Sequence, residues 1–174
     1  RWPDTHVVLL SCDPGADAPV YPGICLQQSL RRRPAHALLQ VGRALVFGGP
    51  GRDLELQTIA GADTLLDLSG DGFTETFAWK CPASHAVPLI LARLLGVPCV
   101  MMGQTIGPFR RARSFYRWLF SGVDAILCRD EESIRALADL GVGPDPATGR
   151  PAIQLTADVA FLLEGATAQD LAQS

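Results

Sequence analysis

The chain has 174 residues, of which 48% are hydrophobic and 19% are charged, so it can bury a core and is not an intrinsically disordered chain. With a net charge of −3, the chain is not expected to bind nucleic acid non-specifically. No apolar run approaches the roughly 20 residues that a membrane-spanning helix needs, and no signal peptide is visible. These features predict one soluble, cytoplasmic domain.

The cysteines and histidines give no sign of a metal site. None of the five cysteines has CxxC spacing or stands at zinc-ligand spacing from a histidine. Their number is odd, and Cys12, Cys99 and Cys128 lie in apolar, strand-like runs, so we expect buried free thiols in a reducing compartment. The three histidines likewise lack partners for a nucleophilic triad or a metal, and each is expected to be a packed or surface residue.

The first third of the chain predicts one strand followed by helical segments. "HVVLLSC" (6–12) is a short apolar run that ends in the turn-rich "DPGADAP", which is typical of a strand. "ICLQQSL" is helix-like or mixed, and "PAHALLQVGRALVFG" has apolar residues at near-helical spacing. "LELQTIAGA" predicts a short helix that ends at Gly61.

The remainder of the chain alternates strand and helix. Strands are predicted at 64–69, 97–103, 124–128 and 152–157. The helices between them are predicted over "ASHAVPLILARLLG", "RRARSFYRWLFSG" and "EESIRALADLG". Strands that read as continuous apolar runs, alternating with helices, are typical of parallel sheets covered on both faces. The sequence therefore predicts an α/β fold with a Rossmann-like, doubly wound parallel sheet.

No cofactor-binding motif accompanies this fold. "GGPGRD" lacks the Gly-Lys-Ser/Thr ending of a phosphate loop, and no GxGxxG follows a predicted strand. We therefore expect a solvated loop at "GGPGRD", no cofactor and no metal. In sheets of this kind ligands bind beyond the carboxyl ends of the strands, so the residues that follow each strand are the candidates for a site.

Two of these strand ends carry an acid whose role stays open. In "SGDG", Gly70 allows close backbone approach and Asp71 could accept from a sugar hydroxyl or help to hold a cation. Asp71 could equally be a turn residue that caps the next segment. Asp158, which ends "QLTAD", has a similar position and the same two interpretations.

"GQTIGPF" turns the chain from a strand towards a helix. Gly107 allows a backbone conformation that other residues resist, and Pro108 suits the start of a helix. Exposed amides at a helix N-terminus with Arg110 nearby would form an anion site. For Arg111 and Arg113 a solvated basic face is the favoured interpretation, whereas Arg110 fits both.

Arg129 is the strand-end residue that a structural role explains least well. Asp130 is expected to cap the following helix, whose first turn already carries Glu131 and Glu132. Arg129 cannot serve as such a cap, so we expect it to contact an anion or a hydroxyl. We expect it to be partly buried and to reach Asp71, Asp158 or a bound anion.

The second half of the chain resembles a known family. "ADTLLDLSGDGFTE", "GVPCVMMGQTIGPF", "DAILCRDEESIRALADLGV" and "IQLTADVAFLL" follow one another as in the polysaccharide pyruvyl transferase family. The resemblance covers roughly residues 62–163, and "GQ-x-IGPF" and "RD-x-x-S" are its most specific parts. The chain departs from the family in having "SGDG" where a double glycine is common.

This resemblance implies a function, a wider architecture and a set of partners. Members are similar to B-type glycosyltransferases with two Rossmann-like lobes, so residues 1–174 are expected to be the amino-terminal lobe, with its own carboxyl-terminal lobe absent. Such enzymes transfer the enolpyruvyl group of phosphoenolpyruvate to a sugar, which forms a pyruvate ketal. The expected partners are phosphoenolpyruvate and a sugar or a glycan-lipid acceptor, the latter with peripheral contact to a membrane, and not nucleic acid.

The resemblance also implies that this lobe supplies the acceptor side of a cleft, with the catalytic residues in the absent lobe. The residues expected to bind substrate are Gly70, Asp71, Gln104, Thr105, Gly107, Arg110, Arg129 and Asp158. Two alternatives stay open from the sequence. One is a non-catalytic Rossmann-like binding module, and the other is the acceptor lobe of a nucleotide-sugar glycosyltransferase.

Overall fold

The computed structural model describes residues 5–29, 53–75 and 80–158, together with the single residues 39, 42, 43 and 46. The predicted helix over "PAHALLQVGRALVFG" and most of the predicted loop "GGPGRD" lie outside the described residues. Of the segments that resemble the family, the part of "IQLTADVAFLL" after Asp158 also lies outside them.

The chain begins with a small parallel sheet. Strand β1 (Val8–Ser11) is followed by the single-turn helix α1 (Pro14–Asp17), which Asp13 caps through a hydrogen bond from the Ala16 amide. Strand β2 (Cys25–Gln28) then pairs in parallel with β1. The helix-like or mixed interpretation of "ICLQQSL" was therefore wrong over β2, because the periodicity of so short a run does not separate helix from strand and pairing with β1 decides.

A four-stranded parallel sheet forms the larger part of the described structure. Its strands are β3 (Leu65–Asp67), β4 (Cys99–Gln104), β5 (Ala125–Cys128) and β6 (Ala152–Leu155), and they lie side by side in that order. The helices are α2 (Leu54–Ala60), α3 (Lys80–Leu95), α4 (Arg113–Phe120) and α5 (Glu131–Leu140). The predicted parallel α/β alternation is confirmed, and it is consistent with a Rossmann-like fold.

The described helices bury one face of the larger sheet. Met101 on β4 and Ile126 on β5 are both 0% exposed, and they belong to a core that includes Phe120 of α4 and Leu137 of α5. On the other face, Leu66 of β3 is 52% exposed. Strands that follow one another in order, joined by right-handed crossovers, place their helices on the same face, which explains this asymmetry. Covering of both faces, as the doubly wound prediction requires, is not seen among the described residues.

Helix α5 begins and ends where the sequence predicts. The Asp130 side chain accepts a hydrogen bond from the Ser133 amide, and Gly141 ends the helix with a φ of 75°. Helix α4 begins later than expected, at Arg113, after Ala112 with a φ of 47° and without a side-chain cap. Pro108 and Arg110 therefore precede the helix and lie in the loop that leads to it.

The longest described helix, α3, has 16 residues. Among the helices that the structure describes, none combines the length and the apolar character needed to cross a membrane.

Candidate functional site

The loops that follow β3 and β4 are joined by backbone hydrogen bonds. The Thr105 amide donates to the Gly70 carbonyl at 2.9 Å, and the Gly107 amide donates to the Phe73 carbonyl, also at 2.9 Å. Phe73 is fully buried, so its side chain anchors the loop beneath the edge of the sheet. Gly70 has a φ of 67°, a conformation that most other residues resist. These bonds bring the two loops together at the carboxyl edge, as the sequence predicts.

Asp71 lies at the exposed end of the first loop. Within the described part of the chain, no residue donates a hydrogen bond to its carboxylate. Neither the turn-capping role nor a role in holding a ligand is therefore visible in its contacts, and its role in binding substrate stays a prediction.

Gln104 ties the ends of β3 and β4 together from inside the protein. Its side-chain amide nitrogen donates to the Asp67 carbonyl at 3.0 Å and to the Met102 carbonyl at 3.2 Å. Its side-chain oxygen accepts from the Ser69 hydroxyl at 3.4 Å. The residue is 0% exposed, so its side chain faces the interior, and this position does not agree with its expected role in binding substrate. Polar residues at a strand end can face inwards when the neighbouring backbone satisfies them, which sequence position alone does not reveal.

Arg129 connects the strand ends of β4, β5 and β6. Its Nε donates to Thr105 Oγ1 at 2.6 Å, and its Nη1 pairs with Asp158 Oδ2 at 2.7 Å. The side chains of Arg129 and Asp158 are 30% and 27% exposed, so the pair is accessible from one side. The prediction that Arg129 is partly buried and reaches one of these acids is confirmed. No hydrogen bond joins its Nη2 to the described residues.

Asp130 and Ser133 support Arg129 through Thr105. One Asp130 oxygen accepts from both the amide and the hydroxyl of Ser133, each at 2.7 Å, and the other accepts from the Thr105 hydroxyl at 2.9 Å. The Ser133 hydroxyl in turn accepts from the Ile106 amide at 2.8 Å. Burial opposes the charge of Asp130, but the hydrogen bonds from Ser133 and Thr105 and the charge of Arg129 prevail, so the pKa of Asp130 is lowered. Sequence reasoning did not select Ser133 as a site residue, although the "RD-x-x-S" spacing contains it.

The backbone amides of Arg110 and Arg111 do bind an anion, but it is a carboxylate of the same chain. The amides of Arg110 and Arg111 donate to the two oxygens of Glu75, at 2.9 Å and 3.1 Å. The expected anion site at the N-terminus of the helix was therefore wrong in its position, because the amides concerned precede α4 and are already satisfied. Nothing in the sequence near Glu75 indicates this contact.

Gly107 permits a close approach between its loop and α5. A Cβ added at Gly107 would lie 2.7 Å from the Cβ of Ala136, and the residue has a φ of 77°. The expectation that glycine is needed at this turn is confirmed, and packing gives the reason as well as backbone conformation.

The cysteines and histidines in the described ranges add no reactive group to this edge. Burial raises the pKa of Cys99 to about 12 and that of Cys128 to about 11, with nearby acids adding to the shift. Cys12 is only half-buried and Cys25 is exposed, so the expectation of a buried thiol is wrong for both. His85 packs edge-on against Phe73 at 6.0 Å, as a packed histidine would. The side chain of Cys81 and all of His36 lie outside the described residues.

A cavity of about 400 Å³ lies at the opposite, amino edge of the sheet. Its charged lining includes Arg150, which pairs with Asp124, and Asp124 also accepts from the Cys99 amide at 2.8 Å. These charges compensate each other and hold the strand ends, so this cavity does not replace the carboxyl edge as the candidate site.

Comparison with known proteins supplies a family for this arrangement. The family model described as polysaccharide pyruvyl transferase matches residues 16–172, which is most of the chain. No curated protein and no solved structure shows significant similarity to the chain.

Proposed function

Since the chain belongs to the polysaccharide pyruvyl transferase family and is therefore a transferase of polysaccharide biosynthesis, we propose that it acts with phosphoenolpyruvate as donor. In this reaction two hydroxyls of a sugar add to the central carbon of the enolpyruvyl group. The methylene carbon takes up a proton, and inorganic phosphate leaves. The product is a pyruvate ketal on a glycan or a glycan precursor, a cell-envelope or secondary-metabolite glycan in our proposal.

We further propose that residues 1–174 form one Rossmann-like lobe and that a second lobe completes a two-lobed, B-type arrangement. The family match and the parallel α/β alternation support this proposal. The groups that deliver the proton and stabilise the departing phosphate would belong to that second lobe. The carboxyl edge of the sheet described above would then face the cleft.

The observation that carries the assignment of the site is the charge balance around Arg129. Arg129 is one cation beside Asp158, and the exposed Asp71 follows β3, which β4 separates from the strand of Arg129. Among the described residues that directly follow β3, β5 and β6, acids outnumber cations, which is unsuited to the multiply charged phosphoenolpyruvate, whereas carboxylates and a guanidinium are good partners for sugar hydroxyls. The carboxyl edge therefore favours the acceptor sugar over the donor. In this assignment Asp158 and Asp71 accept from hydroxyls and Arg129 Nη2 donates to one.

Replacement of Arg129 tests this assignment in the full-length enzyme. Arg129→Ala should lower kcat/KM for the acceptor roughly ten- to a hundredfold, because a charge-assisted contact is worth about 1.5–3 kcal/mol. Arg129→Lys should recover only part of this loss, because the planar fork is absent. The measurement is release of phosphate from phosphoenolpyruvate as a function of acceptor concentration, with melting temperature recorded for each variant.

Arg135→Ala provides the matched control, since Arg135 is also an arginine paired with an acid, Glu131, but is exposed on α5. Its loss should leave kcat/KM unchanged. If Arg129→Ala kept full activity but melted early, Arg129 would be a structural tether and the assignment would fail. Turnover with a nucleotide sugar in place of phosphoenolpyruvate would instead support the glycosyltransferase alternative.

A further inference from the structure

Helix α4 and the loop before it expose a concentration of arginines that the proposed reaction does not use. We call this surface the arginine face. It consists of Arg93, Arg110, Arg111, Arg113, Arg117 and Trp118. The four arginines between residues 110 and 117 are exposed, Arg93 is half-buried, and Trp118 is 40% exposed. The chain as a whole has a net charge of −3, so this surface has the opposite sign to the molecule.

Contacts with three neighbouring elements hold this surface in place. Arg113 Nη1 donates to the Phe109 carbonyl at 3.0 Å, and its Nη2 donates to the Asp139 carbonyl at the end of α5. Arg93 of α3 stacks over the Trp118 ring, with its guanidinium carbon 4.4 Å from the ring centroid, and donates to the Trp118 carbonyl. These contacts hold Arg93, Arg113 and Trp118 in place and join this surface to α3 and to the end of α5.

The charge of the arginine face is largely uncompensated. Arg129, Arg135 and Arg150 each form an ion pair. In contrast, no arginine of the arginine face forms an ion pair with any acid of the described ranges. Glu75 accepts from the amides of Arg110 and Arg111 and so places one negative charge near this surface. That leaves a clear excess of positive charge.

Helix stability accounts for Arg117, which lies in the last turn of α4 where a cation suits the helix dipole, but not for Arg110, Arg111 and Arg113. Cations in the first turn oppose the helix dipole, and α4 begins without a side-chain cap that would offset this cost. Arg113 and Arg117 stand one turn apart, a spacing at which like charges repel. An exposed aromatic ring beside arginines that form no ion pair is typical of a surface that meets an anionic partner.

We propose that the arginine face binds the anionic headgroups of a lipid bilayer. Guanidinium groups pair well with lipid phosphates, and tryptophan side chains prefer the boundary between headgroups and acyl chains. Binding of this kind is peripheral, driven by several arginines with one aromatic ring at the interface. Arg110 and Arg111 lie on the chain directly after the loop that begins at Thr105. A chain docked in this way would therefore hold the candidate site close to the membrane surface.

Vesicle binding tests this inference without any assay of activity, so it stands or fails separately from the proposed function. The probe is sedimentation with vesicles of phosphatidylcholine alone and of phosphatidylcholine mixed equally with phosphatidylglycerol. The chain should bind the anionic vesicles only, and less tightly as salt is added. Arg111→Gln and Arg117→Gln should each weaken binding about fivefold, since one basic residue at an anionic surface is worth about that factor.

Arg135→Gln is the matched control. Like Arg117→Gln it removes one exposed arginine from a helix, but the Arg135 charge is already paired with Glu131, so binding should not change. Bromine-labelled phosphatidylcholine in the anionic vesicles should quench tryptophan fluorescence, and Trp118→Phe should abolish most of this quenching. Three outcomes would overturn the inference. They are equal binding to both kinds of vesicle, equal losses for Arg117→Gln and Arg135→Gln, and arginine-dependent binding to nucleic acid in the absence of vesicle binding.

Discussion

Thr105 shows at the scale of a single residue how this site is organised. Its hydroxyl donates to Asp130 and accepts from Arg129 Nε, so one oxygen orients both partners. Because the Asp130 carboxylate can only accept, the Thr105 hydrogen points towards Asp130 and its lone pairs face Arg129. In the proposed site Thr105 is therefore a positioning residue for Arg129, and it need not itself touch the sugar.

Replacement of Thr105 separates positioning from folding. Thr105→Val removes the hydroxyl but keeps the shape of the side chain, and it leaves Arg129 Nε without this acceptor. It should lower kcat for the proposed ketal formation about tenfold or more, because a misplaced guanidinium loses an interaction made in the transition state. Thr105→Ser keeps the hydroxyl and should retain most of the activity. Steady-state kinetics of phosphate release on the full-length enzyme would check this, and equal losses in both variants would contradict the positioning role.

Single residues also show the limits of reasoning from sequence. Arg129 could be predicted because a long cation at a strand end, next to an acid that already caps the helix, has few structural explanations. The inward position of the Gln104 side chain could not be predicted. Its hydrogen bonds go to the carbonyls of Asp67 and Met102, which only the folded sheet brings near. Glu75 was missed for the same reason, since its partners are amides more than thirty residues further along the chain.

At the scale of elements, the loop between β4 and α4 is fitted closely to α5. The fit depends on Gly107, where a Cβ would meet Ala136, and on the Ile106 amide, which donates to Ser133. This loop therefore carries Thr105 to its place in the site while it packs against the helix that carries Ser133.

Gly107→Ala should destabilise the protein by about 1–2 kcal/mol or more, because left-handed backbone is costly for alanine and the new methyl group meets Ala136. Chemical denaturation would measure the change in the free energy of unfolding. Gly143→Ala is the control, since a Cβ there would meet nothing within 4 Å, and it should have little effect. Addition of Ala136→Gly to Gly107→Ala should recover the part of the loss that is due to the clash. Full stability of Gly107→Ala would show that the loop does not need this approach.

Elements were predicted well where the sequence pattern was long or was marked by caps. The strands at β3 to β6 and the ends of α5 followed from apolar runs, Asp130 and Gly141. The start of α4 could not be predicted, since the arginines before it have high helix propensity. Their amides instead bind Glu75 in the loop that precedes the helix. Strand β2 was missed because four residues cannot establish a period, and its partner β1 decides its conformation.

At the scale of the whole molecule, the family match and the parallel sheets agree on a transferase built on an α/β fold. The sequence could predict this class because parallel strands and helices alternate over most of its length. It could not predict that the described helices cover one face of the larger sheet, because that depends on the order of the strands in space and not on their order in the chain.

The stability of the whole fold should depend on pH through Asp130. Its pKa in the folded protein lies below the ordinary value of 3.8, so ionised Asp130 favours the folded state. This contribution is complete above the ordinary pKa and is lost as the pH falls through the lower folded pKa. Asp130→Asn keeps an acceptor for the Ser133 amide but does not ionise. Its free energy of unfolding should therefore fall less steeply with acid than that of the wild type.

Urea denaturation at a series of pH values from neutral to strongly acidic would measure this difference. Parallel curves for the two proteins across the acidic range would show that Asp130 does not contribute to the acid sensitivity of the fold.

The hydrogen bonds that run from Ser133 through Asp130, Thr105 and Arg129 to Asp158 have a mechanical consequence. They fasten the ends of three neighbouring strands to one another, so the loops that carry these residues cannot shift independently. A sugar that draws Asp158 away from Arg129 would loosen this fastening at one end. The disturbance would pass through Thr105 and Asp130 to Ser133 in the first turn of α5. Acceptor binding would thus be felt as a change in amide hydrogen exchange at Ser133, a residue the acceptor itself does not touch.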